Sequence, residues 1–331
     1  MLDIFFTALA RVALLGGLAI PGFVLQKLNK LPEQTIGVLC ALMIYLAQPV
    51  QILYSFVTAT YSKDLLLYMA IALVIAIVFN FGFFLLARLI FSGWSDKKKA
   101  DVATLSASLS NCGFMGIPLI QLLFKNPAIT IFAVIYVVAF NIVLWTFGVY
   151  VLTGDKSYVS IKKAFLNLPT IVLVIALPIF FLNLNLASSE NIVISSVLRF
   201  LQYFNDFSAV FPMMILGIRL ATMNAKSLVT DKHVYITSAF KLIVFPLIGL
   251  GLILLLRLIP IMQAEPANFM ATSLLIAVAM PSATMAITFA ETFDADKEMA
   301  VKCTLVSTIL ALITVPLFIS IFPLLGIPIS V

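Results

Sequence analysis

The sequence predicts an all-α polytopic membrane protein: ten transmembrane helices forming two inverted five-helix repeats, with helices 4 and 9 broken and crossing. Three observations predict it. Of 331 residues, 63% are hydrophobic and only 10% are charged, against about 25% charged in an ordinary soluble domain. The apolar residues fall into runs near the ~20 residues that a bilayer requires, joined by short polar connections. Two of the runs are interrupted at mid-depth by glycine and proline, once in each half of the chain.

The ten segments fall at about 4–26, 35–57, 65–90, 101–123, 128–152, 165–186, 197–220, 234–258, 267–290 and 300–324. The first follows Asp3 without a basic stretch before it, so it reads as a retained span and not a cleaved leader. The third ends in Ser92-Gly93-Trp94-Ser95-Asp96, followed by Lys97, Lys98 and Lys99. Pro21, Pro178 and Pro246 mark bends. Basic residues concentrate in odd-numbered connections, such as Lys27 and Lys30, Lys97 to Lys99, Lys162 and Lys163, Lys226 and Lys232, and Lys297 and Lys302. Even-numbered connections hold Lys63, Lys125 and Arg257. The positive-inside rule then puts odd connections in the cytoplasm and both termini outside, in a multi-pass protein of the cell membrane. The net charge of +6 is therefore a matter of topology and lipid, not of nucleic acid.

Two prolines argue for a repeat. Pro49 and Pro212, in segments 2 and 7, stand at the same separation as Pro118 and Pro281, in segments 4 and 9. Residues 1–152 and 165–331 then form two halves, and an odd number of spans in each makes the second half enter the membrane upside down. That is the inverted repeat of secondary transporters, whose sites lie at broken helices near the midplane.

The first break is Leu105-Ser106-Ala107-Ser108-Leu109-Ser110-Asn111-Cys112-Gly113-Phe114-Met115-Gly116-Ile117-Pro118, and the second is Met280-Pro281-Ser282-Ala283-Thr284. Gly113 and Gly116 weaken a helix, while Pro118 removes an N–H and clashes with the preceding turn. Hydrocarbon tolerates an opened backbone only where protein or water covers it. A half-helix N-terminus offers unpaired N–H groups and about half a positive charge, which suits a carboxylate. The termini expected after Pro118 and Pro281 are the candidates, with Ser110, Asn111, Ser282 and Thr284 adding neutral hydrogen bonds. Asn141 either completes the pocket or makes an interhelical hydrogen bond. Gln48 and Gln51 flank Pro49 and either line the path or serve as packing glue.

Arg11, Arg199, Asp206 and Lys241 fall inside segments, where charge is costly. Arg11 and Asp206 reach similar depths and are candidates for a structural ion pair, against the alternative that they do not meet. Lys241 either attracts an anion, pairs with Asp206, or snorkels. Glu291 reads as solvated surface. Neither break contains Asp or Glu, which argues against proton–cation exchange, and no phosphate-binding loop supports ATP drive. No catalytic constellation, cofactor motif or metal cluster is present, so the chain does not read as an enzyme. Cys40, Cys112 and Cys303 lack ligand spacing and read as structural thiols, and His233 stands alone.

Ser110-Asn111-Cys112-Gly113-Phe114-Met115-Gly116-Ile117-Pro118-Leu119 resembles the G-N-x-G-F-x-G-x-P-L signature of the auxin efflux carrier family. Met280-Pro281-Ser282-Ala283, continuing to Ala290-Glu291, resembles its second signature, and Pro212 with Leu216-Gly217 its seventh-helix pattern. The resemblance covers essentially the whole chain. It implies a fold like bile-acid symporters and sodium–proton antiporters. Helices 3–5 and 8–10 would form a mobile transport domain against a scaffold of helices 1, 2, 6 and 7. It also implies carriage of a small organic anion, and a homodimer through segments 2 and 7. Ser110 stands where the family commonly has Gly, and the long cytoplasmic loop of many plant auxin exporters is absent. A bacterial-type permease for malate or malonate therefore fits better than an indole-acid exporter. A non-transporting receptor on the same fold is the reading from another class.

Overall fold

The computed structural model describes residues 2–124, 126–183, 186–223 and 231–327; Lys125 and Lys226, counted above for topology, lie outside them. Among the described residues every regular element is helical, and a single isolated β-bridge is the exception. In chain order the main helices are α1 (Leu2–Lys27), α2 (Thr35–Val57) and α3 (Lys63–Phe91). The fourth segment is split into α4a (Lys97–Ser108) and α4b (Cys112–Leu123). Then come α5 (Pro127–Thr153), α6 (Leu168–Phe181), α7 (Ile192–Thr222) and α8 (Lys232–Leu256). The ninth is split into α9a (Glu265–Ala279) and α9b (Met285–Thr292), and α10 (Lys297–Ser320) follows. Among the described residues seven helices are long and apolar enough to cross a membrane, and α4b, α6 and α9a are shorter apolar helices.

The polar connections are helix starts. Ser62, Asp96, Asn126, Asn167, Asn191, Asp231 and Asp296 each accept a backbone N–H from the first turn of the following helix. Each thereby satisfies a donor that the helix itself cannot. The prolines act one level lower. Pro49, Pro118 and Pro246 each follow a turn of wider π-helix, at Met43–Ala47, Cys112–Gly116 and Phe240–Val244. A proline removes one backbone donor and pushes away the carbonyl one turn back, and the extra residue of a π-turn absorbs both effects. The helices therefore bend and continue at these three sites. Pro118 does not end helix 4, contrary to the expectation from sequence: the interruption lies at Leu109–Asn111, and Pro118 sits inside the half-helix that follows.

Helix packing is uneven. In α5, 83% of the most apolar window is buried, against 28% in α1. The buried α5 packs on α3, α9a and α4b, while α8 and α9b pack on α10. Elsewhere α7 packs along the second half of α1 and against α2, and α6 packs on α2. The first half of α1 reaches across to α10. The α1–α7 contact depends on glycine. A Cβ on Gly22 would overlap the Met214 carbonyl, and one on Gly217 would overlap that of Ala19.

Candidate functional site

The two breaks meet. Ser110 and Ser282 form the isolated antiparallel bridge, in which the Asn111 N–H donates to the Pro281 carbonyl at 2.8 Å and the Ala283 N–H to Leu109 at 3.0 Å. Each interrupted helix thus satisfies orphan groups of the other, the only way an opened backbone is tolerated away from water. The Ser282 N–H donates to Ser307 Oγ of α10 at 3.1 Å. Gly116 packs closely here: a Cβ would stand 3.0 Å from the Met280 side chain, which would have to shift.

From this crossing, α4b begins at Cys112. Asn111 Oδ1 makes no cap, whereas its carbonyl accepts the Met115 and Gly116 N–H groups at 3.0 and 3.2 Å. The half-helix N-termini therefore start at Cys112 and at Met285, not after Pro118 and Pro281 as the sequence suggested. First-turn amides lack intrahelical acceptors, and Gly113 and Phe114 of this turn line a cavity of about 140 Å³. Gln48, Ser110, Asn111, Asn141, Trp145 and Asn167 line the same cavity. Asn141 Nδ2 is held by the Val137 carbonyl one turn back at 2.9 Å. Lys163 places its ammonium 5.1 Å from the centre of the Trp145 ring.

Ser110, Asn111, Gly113 and Asn141 are thus brought together, and the other expected residues are distributed around them. Ser282 is fully buried behind the cavity, its Oγ without a partner. Thr284 borders a small void of about 30 Å³ shared with Cys40 and Arg219. Pro118 lines a separate and larger cavity, about 680 Å³, with Tyr54, Ser55, Gln121, Asn205, Asp206 and Ser208. That cavity lies at the end of the molecule carrying the α2–α3, α4–α5 and α6–α7 connections, whereas the smaller one is floored by the start of α6. Between them run Gln48, Gln51 and Ser55 on one face of α2, with Gln51 Nε2 donating to Ser208 Oγ of α7 at 2.6 Å. Spacings of three and four residues put all three on one stripe. Of the two roles open to Gln48, the structure shows it lining the smaller cavity, and the helical stripe it shares with Ser55 is the sequence signal for that role.

The intramembrane charges depart furthest from expectation. Arg11 is exposed on α1, and no ion pair joins it to Asp206 among the described residues. Asp206 is exposed beside Asn205, whose Nδ2 donates to it at 3.4 Å, and Gln121 pairs with Asn205 in turn. The 11-to-206 pair fails because the two side chains point to different surroundings: Arg11 faces outward, while Asp206 faces the large cavity. Lys241 neither snorkels nor meets Asp206. It is fully buried at the crossing, where its ammonium donates to Ser110 Oγ and, at 3.1 Å, to the Val278 carbonyl near the end of α9a.

Interrupted helices crossing inside an apolar helical body, with cavities on either side, are the architecture of a membrane transporter. The chain belongs to the membrane transport protein family, whose model matches residues 5–319, and this is the auxin efflux carrier family that its motifs resemble. No curated protein matches the chain.

Proposed function

We propose that the protein is a secondary carrier for a small carboxylate such as malate or malonate, working by elevator-like alternating access across the cell membrane. The observation that carries this is the crossing itself. Residues of the α4b N-terminus, Ser110, Asn111 and Asn141 line one cavity that has no acidic side chain among its lining residues. Dipoles and amides hold an anion weakly enough for release, which transport requires. The cavity's size supports a small acid over an indole acid, since about 140 Å³ is well under the ~300–1,000 Å³ of drug-sized sites.

Two packed groups support the division of labour: α1, α2, α6 and α7 as scaffold, and α3, α4, α5, α8, α9 and α10 as the moving body. The α1–α10 contact is then the seam that slides. Residues 1–152 and 165–331 would be the inverted halves of a ten-span chain with both termini outside, and α2 and α7 would supply a homodimer interface. The test is uptake into proteoliposomes of labelled malate, malonate and indole acetate. Saturable flux of the dicarboxylates alone is expected. Folded protein that moves none of the three would overturn the carrier reading and leave a receptor.

A further inference from the structure

Resting on that carrier reading, we propose that Lys241 makes the protein a proton–anion symporter, the lysine taking up one proton as the anion binds next to Ser110 and releasing it as the anion leaves.

The reasoning begins with the π-turn that Pro246 imposes on α8. The turn Phe240–Val244 presents Lys241 to the crossing, where its side chain is completely buried. An ammonium in such a place needs an opposing charge, and one left unpaired in the interior costs several kcal/mol. Among the described residues no carboxylate supplies it. On the elements packed around α8, Asp101 is held by Arg88, Asp231 by Lys99 and His233, and Glu298 by Lys302. The titratable groups that face the ammonium are Cys112 and, beside Ser110, Tyr136. Cys303 on α10 faces Thr237 and Ser106 one turn away. These are thiols and a phenol, uncharged near neutral pH in their ordinary ranges.

What Lys241 does have are two acceptors, Ser110 Oγ and the Val278 carbonyl. The second lies in the last turn of α9a, where unpaired carbonyls carry a partial negative charge. This offsets part of the desolvation. The remainder of the countercharge is one hydrogen bond away. Ser110 accepts from Lys241, donates its own proton to the Val278 carbonyl at 3.3 Å, and lines the anion cavity next to Asn111 and Gly113. Lys241 is thus a positioning residue acting through Ser110, and an anion in the cavity completes the ion pair.

The balance is simple. A neutral amine, a proton and the bound carboxylate combine to an ammonium–carboxylate pair, with no bond to carbon made or broken. On release the same proton leaves the amine. Because coupling between two ligands is reciprocal, whatever factor the anion adds to proton affinity the proton adds to anion affinity. Empty and fully loaded carriers then differ by a neutral pair for a monoanion, and by one net negative charge for a dianion. Sodium has no place in the cycle.

The experiment uses the full-length protein in detergent and in proteoliposomes, with malate and malonate as probes at pH 8, where both are dianions. Proton uptake on anion addition is read with a pH dye in weak buffer, and flux is read with and without a pH gradient in sodium and in choline medium. Wild type is expected to take up as much as one proton per anion bound. Its uptake should rise severalfold with the interior alkaline and be unchanged when choline replaces sodium. Lys241→Arg, which stays cationic, is expected to bind the probes without taking up a proton and to lose the response to the gradient. Lys241→Met is expected to bind at least tenfold more weakly while eluting as a folded protein. Probe binding by wild type without proton uptake overturns the inference and leaves the carrier intact, as does uptake by Lys241→Arg equal to wild type. Failure of wild type to bind any carboxylate overturns both.

Discussion

The α1–α7 contact and the α4–α9 crossing are both places where two helices come unusually close, and they do so by opposite means. At the first, Gly22 and Gly217 bring backbone against backbone. At the second, proximity comes from opened helices joined by two backbone hydrogen bonds, and polar groups remain in excess: Ser282 and Thr284 each have a buried hydroxyl without a partner among the described residues. An interior that leaves such groups unpaired gives up free energy that a purely structural seam would keep. The difference separates a contact built to stay shut from one built to hold and release something polar.

The comparison breaks most visibly at Gly217. Gly217→Leu would drive a side chain into the Ala19 carbonyl, and backbone cannot yield as a rotamer can. The expected loss is about 3 kcal/mol or more, the upper end for overpacking, seen as aggregation on size-exclusion chromatography. Its counterpart at the crossing is Asn111→Ala. The Asn111 side chain makes no cap and faces the cavity, so the fold should survive. A hydrogen bond to a charged ligand is worth about 1.5–3 kcal/mol, so malate affinity should fall by about 10- to 100-fold in a binding titration. Equal melting temperatures for Asn111→Ala and wild type, with unequal affinities, would sharpen the contrast; equal affinities would end it.

A third variant separates support from site. Asp231 caps α8, the helix that carries Lys241, through the His233 N–H at 3.0 Å. Burial alone would raise its carboxyl, but hydrogen bonds from the His233 backbone and ring, together with the Lys99 charge, outweigh it and hold the group below its usual range. The stabilisation is therefore full above the unfolded carboxylate value of about 3.9 and is lost as pH falls through the folded value. Asp231→Asn keeps the cap and removes the charge. Melting curves should show the variant less stable by under about 1 kcal/mol at pH 7 and no different from wild type once pH falls below the folded value.

Much of this was legible in the residues, because membrane helices announce themselves by length and the breaks by glycine and proline. Ser110, Asn111 and Gly113 could be grouped because they are neighbours in sequence, and Asn141 because it is a lone amide in an apolar run. The start of α4b was misplaced for a physical reason: a proline can be absorbed by a π-turn, and sequence does not show whether a helix will end or widen. The same π-turn directs Lys241 to the crossing, so the site's cation could be noticed as costly but not located. Arg11 and Asp206 were matched by depth, yet depth says nothing about which way a helix face turns.

That last pair yields the smallest expected effect and the finest test of the comparison. Asp206 is exposed in the large cavity, so Asp206→Asn removes no structural ion pair. Its hydrogen-bond partner Asn205, at 3.4 Å, can bond to an amide as well as to a carboxylate. Stability should move by no more than about 0.5 kcal/mol, as for surface changes generally. Entry of an anion from that side is another matter, because a negative charge on the cavity wall repels it over a Debye length of about 10 Å at 0.1 M salt. Initial uptake from the Asp206 side should therefore rise modestly in the variant at low salt, and the gain should vanish near 1 M, where the Debye length shrinks to about 3 Å. A gain that persisted at high salt would point to a direct contact between Asp206 and the substrate path, extending the releasing surface from the crossing to α7.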